Sequence, residues 1–173
     1  LLDSPGDVGL FCSMAIDLND KVHISYWDLT NKNLRYINNT EGPWVLAVVD
    51  SVGDVGAYCS IATDPGGAAH ISYYDSTNYD LKYANNTGGS WSSTTVNSGG
   101  TVGIDTAIAV DGDGHVHISY YDADADDLRY ATDSSGSWHW SIVDGEGNVG
   151  MRSSITTGPD GTVHVGYYDW TNA

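Results

Sequence analysis

Three groups of residues in this 173-residue chain have types and spacings that could do chemistry. The first is the run Asp122-Ala-Asp-Ala-Asp126-Asp127. Alternating carboxylates offer several hard oxygens at short range, as Ca²⁺ requires. Calcium is therefore the one cofactor the sequence suggests, held by Asp122, Asp124 and Asp126. The Gly and later Glu of an EF-hand loop are absent, and an exposed, solubilising turn is the competing reading. Asp111-Gly-Asp-Gly114 has the same two readings, and hairpin-turn chemistry accounts for it. The second group is aromatic: Tyr26, Tyr73, Tyr120 and Tyr167, each followed by Trp27, Tyr74, Tyr121 or Tyr168, with Trp44, Trp91 and Trp138 forming a third column. Rings beside carboxylates grip sugars, but rings repeated at fixed spacing also pack a core while their polar tips find partners. Aromatic and cationic residues outside these columns (Phe11, Tyr58, Tyr79, Trp140, Trp170 and Arg152) are where a site that varies along the chain is better sought. The third group is His23, His70, His117 and His164, with Cys12 and Cys59. The histidines lack the close partner spacing of a zinc site and read as hydrogen-bonded core residues beside Ser25, Ser72 and Ser119.

The elements that position these residues follow from one repeat. The histidines recur every 47 residues, as do Val8-Gly9, Val55-Gly56, Val102-Gly103 and Val149-Gly150, with no insertion needed. The units run over 4–50, 51–97 and 98–144, with a partial fourth over 145–173, in a single segment spanning 1–173. Each full unit contains four short strand-like runs. In the first these are Cys12–Ile16, Val22–Asp28, Leu34–Ile37 and Trp44–Val49, separated by Asp/Gly/Asn turns. No window has a helical period. Four strands per unit of this length predict an all-β protein, a β-propeller of four-stranded antiparallel blades, with three full blades and part of a fourth. Leu1-Leu2-Asp3 aligns with Val48-Val49-Asp50, so the chain is expected to be a segment of a longer propeller, or a protomer whose open edges are completed by other copies.

His70-Ile-Ser-Tyr-Tyr-Asp75, Leu81-Lys-Tyr-Ala84 and Ser90-Trp91 resemble the repeats of secreted bacterial and archaeal β-propellers, loosely grouped with sialidase-like propellers. The resemblance covers the whole chain and implies the fold and an extracellular or cell-surface location. Sialidase-type Asp-boxes (Ser-x-Asp-x-Gly-x-Thr-Trp) do not occur, so the catalytic arginines and tyrosine of sialidases map onto no position here. Tachylectin, a sugar-binding propeller, is similar in repeat length only.

Charge narrows the partners. With 23 acids against 6 basic residues, a net charge of −17 argues against nucleic acid, whose phosphates need clustered Lys and Arg. No apolar run is long enough for membrane insertion by a helix. In an up-and-down blade the loops alternate ends. This places 15 of the 23 acids on the end holding the second-to-third-strand loops and the inter-blade links. Ligand contacts are therefore expected from Asp75, Asp80, Asp122, Asp124, Asp126 and Asp127, with Tyr79 and Trp170. Arg35, Lys82 and Arg129 share one register and are expected in structural ion pairs or cation–π contacts. Cys12 and Cys59, equivalent in adjacent units, are a candidate disulfide. Asn38 and Asn85 begin N-glycosylation sequons.

The leading functional expectation is a non-catalytic extracellular binding or adhesion module that recognises a glycan or cell-surface polymer through its acidic rim. The alternative is a structural subunit that meets other copies of itself through open blade edges, in a filament, sheath or surface layer. A propeller-type glycoside hydrolase or lyase ranks third, because ungapped units leave no room for the loop insertions that build such sites.

Overall fold

The computed structural model describes residues 2–173; Leu1, the first residue of the expected strand tail, lies outside them. Fourteen strands and no helix occur among these residues. The first sheet is β1 (Val8–Ile16), β2 (Val22–Asp28), β3 (Asn33–Asn38) and β4 (Val45–Asp50). The second is β5 (Val55–Thr63), β6 (Ala69–Asp75), β7 (Asp80–Asn85) and β8 (Ser92–Asn97). The third is β9 (Val102–Val110), β10 (Val116–Asp122), β11 (Asp127–Thr132) and β12 (His139–Asp144), followed by the pair β13 (Val149–Thr157) and β14 (Val163–Asp169). Every sheet is an antiparallel meander in chain order, and the first strands of successive sheets pack side by side. This is the β-propeller arrangement, with the first strand of each blade innermost.

The first strand is longer than the sequence suggests. It starts at the Val-Gly pair rather than at Cys12, because a bulge lets it continue: pairing with β2 shifts between Leu10 and Ser13, and the same shift recurs in the other blades. A bulge leaves one residue unpaired and re-aims its side chain. Here the unpaired stretch contains Phe11, Tyr58, Asp105 or Arg152, all with left-handed φ between 49° and 54°.

Between blades the core is built from alternating faces. Leu34 and Tyr36 of the first blade pack with Val55, Ile61, Ile71 and Tyr73 of the second, and Trp91 lies against this cluster. Each fully buried side chain of this size contributes ~1.5–3 kcal/mol. The second and third blades repeat the arrangement with Leu81, Tyr83, Val102, Ile118 and Tyr120. Where no neighbouring blade covers a face the same position is open: Met14 is 63% exposed, whereas Ile61 and Ile108 are each 6% exposed.

His23, His70 and His117 are core residues, as expected, whereas His164 in the last strand pair is exposed; the partners of the buried three are not the adjacent serines. Nδ1 of His23, His70 and His117 shares a 2.6 Å hydrogen bond with Tyr36, Tyr83 and Tyr130 on the third strand. Nε2 of His70 and His117 faces Asp64 and Asp111 at 3.3 Å. Those aspartates also tie the hairpin turns, accepting backbone N–H groups such as those of Ala68 and His115 at 2.8 Å. The tyrosines then meet the next blade, with Tyr36–Trp91 and Tyr83–Trp138 edge-to-face at 4.9 and 5.1 Å. Turn, strand and inter-blade contact are thus one hydrogen-bonded and stacked chain. Burial holds the His70 pKa below its usual value, against the pull of Asp64.

The serines face the next blade instead. Thr106 donates to Ser72 at 2.9 Å, and Ser153 and Ser119 are 2.8 Å apart. Cys59 occupies the equivalent place against Ser25, but its thiol donates to the Phe11 carbonyl at 3.1 Å and Ser25 Oγ has no hydrogen-bond partner. This corrects the expected disulfide: Cys12 and Cys59 are free thiols, the first exposed and the second buried. Burial pushes the Cys59 thiol up to about 12, which keeps it unreactive. Native-state alkylation is expected to label Cys12 and spare Cys59. Cys59→Ser should restore the inter-blade hydroxyl pair and leave the melting temperature unchanged or slightly higher, since one such bond is worth about 1 kcal/mol. A drop of several degrees would show that the thiol packs better than the hydroxyl bonds.

Candidate functional site

The carboxylates expected on the rim are largely built into it. Asp75 and Asp122 end the second strands and are 2% and 1% exposed. Asp75 accepts the backbone N–H groups of Thr77 and Asn78 at 2.9 and 3.1 Å, and the Asn78 side chain at 2.9 Å. Asp122 accepts the amides of Asp124 and Ala125 and pairs with Arg129 at 2.5 Å. These two residues fold the loops and have no surface to offer a ligand. Asp124 accepts the Thr101 amide at 2.9 Å, the task that Thr77 performs for Asp54 at 2.7 Å one blade earlier. Asp126 accepts hydrogen bonds from the Tyr121 hydroxyl and from Asn148 Nδ2.

The carboxylates of Asp122, Asp124 and Asp126 therefore diverge, and the calcium arrangement expected from their spacing does not form. Alternation along the chain became three separate structural roles because the segment is a turn between β10 and β11, with each side chain aimed at a different neighbour. Asp111, Asp113 and His115 do approach one another, in the hairpin before β10. There Asp111 is already committed to backbone amides, and these bonds with His117 outweigh its desolvation and hold its pKa at about 2.

The remaining expected residues are dispersed. Asp127 is buried, and Asp80 stands across the β6–β7 ladder from Asp75, where burial and that neighbour raise its pKa. Tyr79 is 55% exposed at a loop tip, and Trp170 is exposed edge-to-face against Tyr168. Asn38 and Asn85 sit on the opposite end, each accepting a hydrogen bond from the threonine of its own sequon. The cationic register behaves as expected: Arg35 pairs with Asp28, Lys82 with Asp50, and Arg129 with Asp122 while stacking on Trp140 at 4.8 Å.

What the structure does bring together is the inner-strand bulge. Phe11, Tyr58, Asp105 and Arg152, with Cys12, Cys59, Thr106 and Ser153, line a cavity of about 340 Å³ where the four first strands converge. A bulky non-glycine residue at positive φ is an outlier that the surrounding fold must sustain, and such positions gather at functional sites. The scaffold around this position hardly changes between blades, yet the residue at its centre differs in all four. Phe11 meets Tyr58 in a tilted contact at 4.4 Å and approaches Trp27 at 6.0 Å, and Tyr58 reaches Tyr74 at 6.2 Å. An aromatic wall thus runs from the axis toward the loop face. Asp105 and Arg152 form the opposite, polar side, where the Arg152 amide donates to Asp105 Oδ2 at 3.0 Å. Burial and then the field of Asp105 raise the Tyr58 phenol, so it remains a neutral donor.

Phe11, Tyr58 and Arg152 stand out in the sequence as departures from the aromatic columns. Asp105 was missed, hidden among 23 acids. The 47-residue register places it in line with Phe11, Tyr58 and Arg152, but other columns, such as Lys21, Ala68, His115 and Thr162, vary as much, so only the bulge singles it out.

No protein-family model matches the sequence, and no curated protein matches it significantly. Solved structures do match. A protein described as of unknown function from Dyadobacter fermentans DSM 18053 superposes with a TM-score of 0.66 at 13% identity, over 90% of this chain and 48% of that one. A variant of Aleuria aurantia lectin, in complex with Fucα1-6GlcNAc, gives 0.58 at 10% identity, over 91% of this chain and 59% of that one. The Hadza microbial sialidase Hz136 gives 0.57 at 11% identity, over 87% and 40%. Similarity at these identities is one of fold. The chain spans about half the length of the first of these structures.

Proposed function

We propose that this chain is a non-catalytic, extracellular carbohydrate-binding propeller module that seats its ligand in the axial cavity. The observation that carries the reading is the bulge column: one variable, strained residue per blade, aimed into a shared cavity that two touching aromatic rings and a carboxylate line together. Aromatic faces take the apolar face of a pyranose, while Asp105 and the Tyr58 hydroxyl suit its hydroxyl groups. That structures of similar fold include lectins and a sialidase supports a saccharide as the ligand class. The ligand site thereby moves from the acidic rim to the axis, because the rim carboxylates are occupied by their own loops.

A glycan array is expected to retain this protein, and Tyr58→Ala should weaken the strongest interaction about tenfold in calorimetry without altering the fold, as loss of one stacking ring implies. An array with no retained glycan would remove the reading. Self-association is the second reading, favoured by the uncovered apolar face around Met14 and Ile24.

A further inference from the structure

Six cationic side chains serve a molecule with 23 acids, and nearly all are consumed. Lys32, Arg35, Lys82 and Arg129 each hold a carboxylate within 2.9 Å. Among the described residues, Arg152 and Lys21 make no ion pair. Lys21 lies at the hairpin end of its blade, whereas Arg152 lines the axial cavity. Its backbone amide is fixed by Asp105, and its left-handed φ of 52° sets the direction in which the side chain leaves the strand. Among the described residues the exposed guanidinium has no hydrogen-bond acceptor, although Asp105 is the next residue around the axis. An unpaired guanidinium lining the same cavity as the tilted Phe11–Tyr58 pair, in a strongly acidic protein, is a group available to an anion.

We infer that the cavity selects an anionic saccharide, with the sugar ring on Phe11 and Tyr58 and its carboxylate or sulfate on Arg152. This rests on the proposed glycan-binding reading and assigns its ligand class. A planar guanidinium matches both oxyanions with paired N–H donors, and such charge-assisted bonds are about twice as strong as neutral ones. At physiological ionic strength the repulsion from the protein's distant carboxylates is screened beyond ~8 Å, whereas a contact at hydrogen-bond distance lies well inside that length and is screened far less. Asp105 opposes it locally, which demands that the anionic substituent lie away from the Asp105 edge of the ring. The site thereby distinguishes where on the ring the charge sits.

The test uses the full chain on an array of matched pairs: uronic-acid glycans, their neutral hexose counterparts, and sulfated counterparts of the same hexoses. The acidic members are expected to bind at least about tenfold more tightly than the neutral ones, the gain of one charge-assisted contact. Arg152→Gln should abolish that preference with the near-ultraviolet circular dichroism unchanged, and Arg152→Lys should retain part of it. A preference confined to uronates or to sulfates identifies which oxyanion is taken. Equal or better binding of the neutral members, or a preference that survives Arg152→Gln, overturns the inference and leaves glycan binding standing. No binding of any member overturns both.

Discussion

Gly56→Ala is expected to destabilise the protein by about 3–5 kcal/mol, combining strain at a left-handed φ with a backbone clash. Gly56 lies in β5 at φ 111°, and a Cβ there would stand 2.8 Å from Leu34 Cα and 3.1 Å from Leu34 N. Those atoms belong to the backbone of the preceding blade and cannot rotate away. The contact recurs at Gly103 against Leu81 and at Gly150 against Leu128, so the Val-Gly string sets how closely consecutive blades approach. Gly88→Ala is the control, because nothing lies within 4 Å of its added carbon and it needs no positive φ. Chemical denaturation of the two variants should separate them clearly. A loss below 1 kcal/mol at Gly56 would mean that the blades can shift apart at little cost.

The second large effect is expected at Asp50. It ends β4, is 6% exposed, and reaches across to the next blade, accepting Tyr73 Oη at 2.7 Å and Lys82 Nζ at 2.5 Å. Asp50→Ala strands a nearly buried lysine and an internal phenol together, a loss of about 3–5 kcal/mol. The junction of the second and third blades shows how to repair it. There the equivalent residue is Asn97, which donates to Tyr120 at 2.9 Å, and the cation is Arg129, paired within its own blade to Asp122. Asp50→Asn alone should recover the tyrosine bond but not the lysine. Asp50→Asn with Lys82→Arg should recover most of the remainder, because an arginine in this register reaches Asp75 as Arg35 reaches Asp28. A double variant no more stable than Asp50→Asn would disprove the partner switch.

The same pair has a pH signature. Burial alone would raise the Asp50 pKa, but hydrogen bonds from Lys82, Tyr73 and the Val52 amide outweigh it and hold it below the ordinary 3.8. A depressed carboxyl pKa stabilises fully above the unfolded value and is lost as pH falls through the folded one. The gap in melting temperature between wild type and Asp50→Ala should therefore be constant near neutrality and shrink below pH 3.8.

The sequence pattern was informative wherever a property repeats. Four strand-like runs per 47 residues, the hairpin tetrads after Asp17, Asp64 and Asp111, and the shared register of Arg35, Lys82 and Arg129 all led to what is observed. It misled wherever side-chain direction mattered. Asp122, Asp124 and Asp126 look like one cluster because they are near in the chain, yet each serves a different neighbour. Cys12 and Cys59 are equivalent by register, but Cys59 turns to a carbonyl and a serine of the preceding blade. Serines next to the histidines look like their partners, but successive strand residues point to opposite faces, so Ser72 meets Thr106 while His70 meets Tyr83.

By itself the sequence determined the period, the strand content, the ends on which loops fall and the surplus of acid, because these depend on residue type and spacing alone. Tertiary structure decided which acids remain available and where a ligand can sit. Packing one blade on the next buries Asp75 and Asp122 and gathers Phe11, Tyr58, Asp105 and Arg152, each 47 residues from the next, into one cavity. The bulge that aims them inward arises from the pairing of β1 with β2 and the contact of Gly56 with Leu34, neither of which exists until the strands have met.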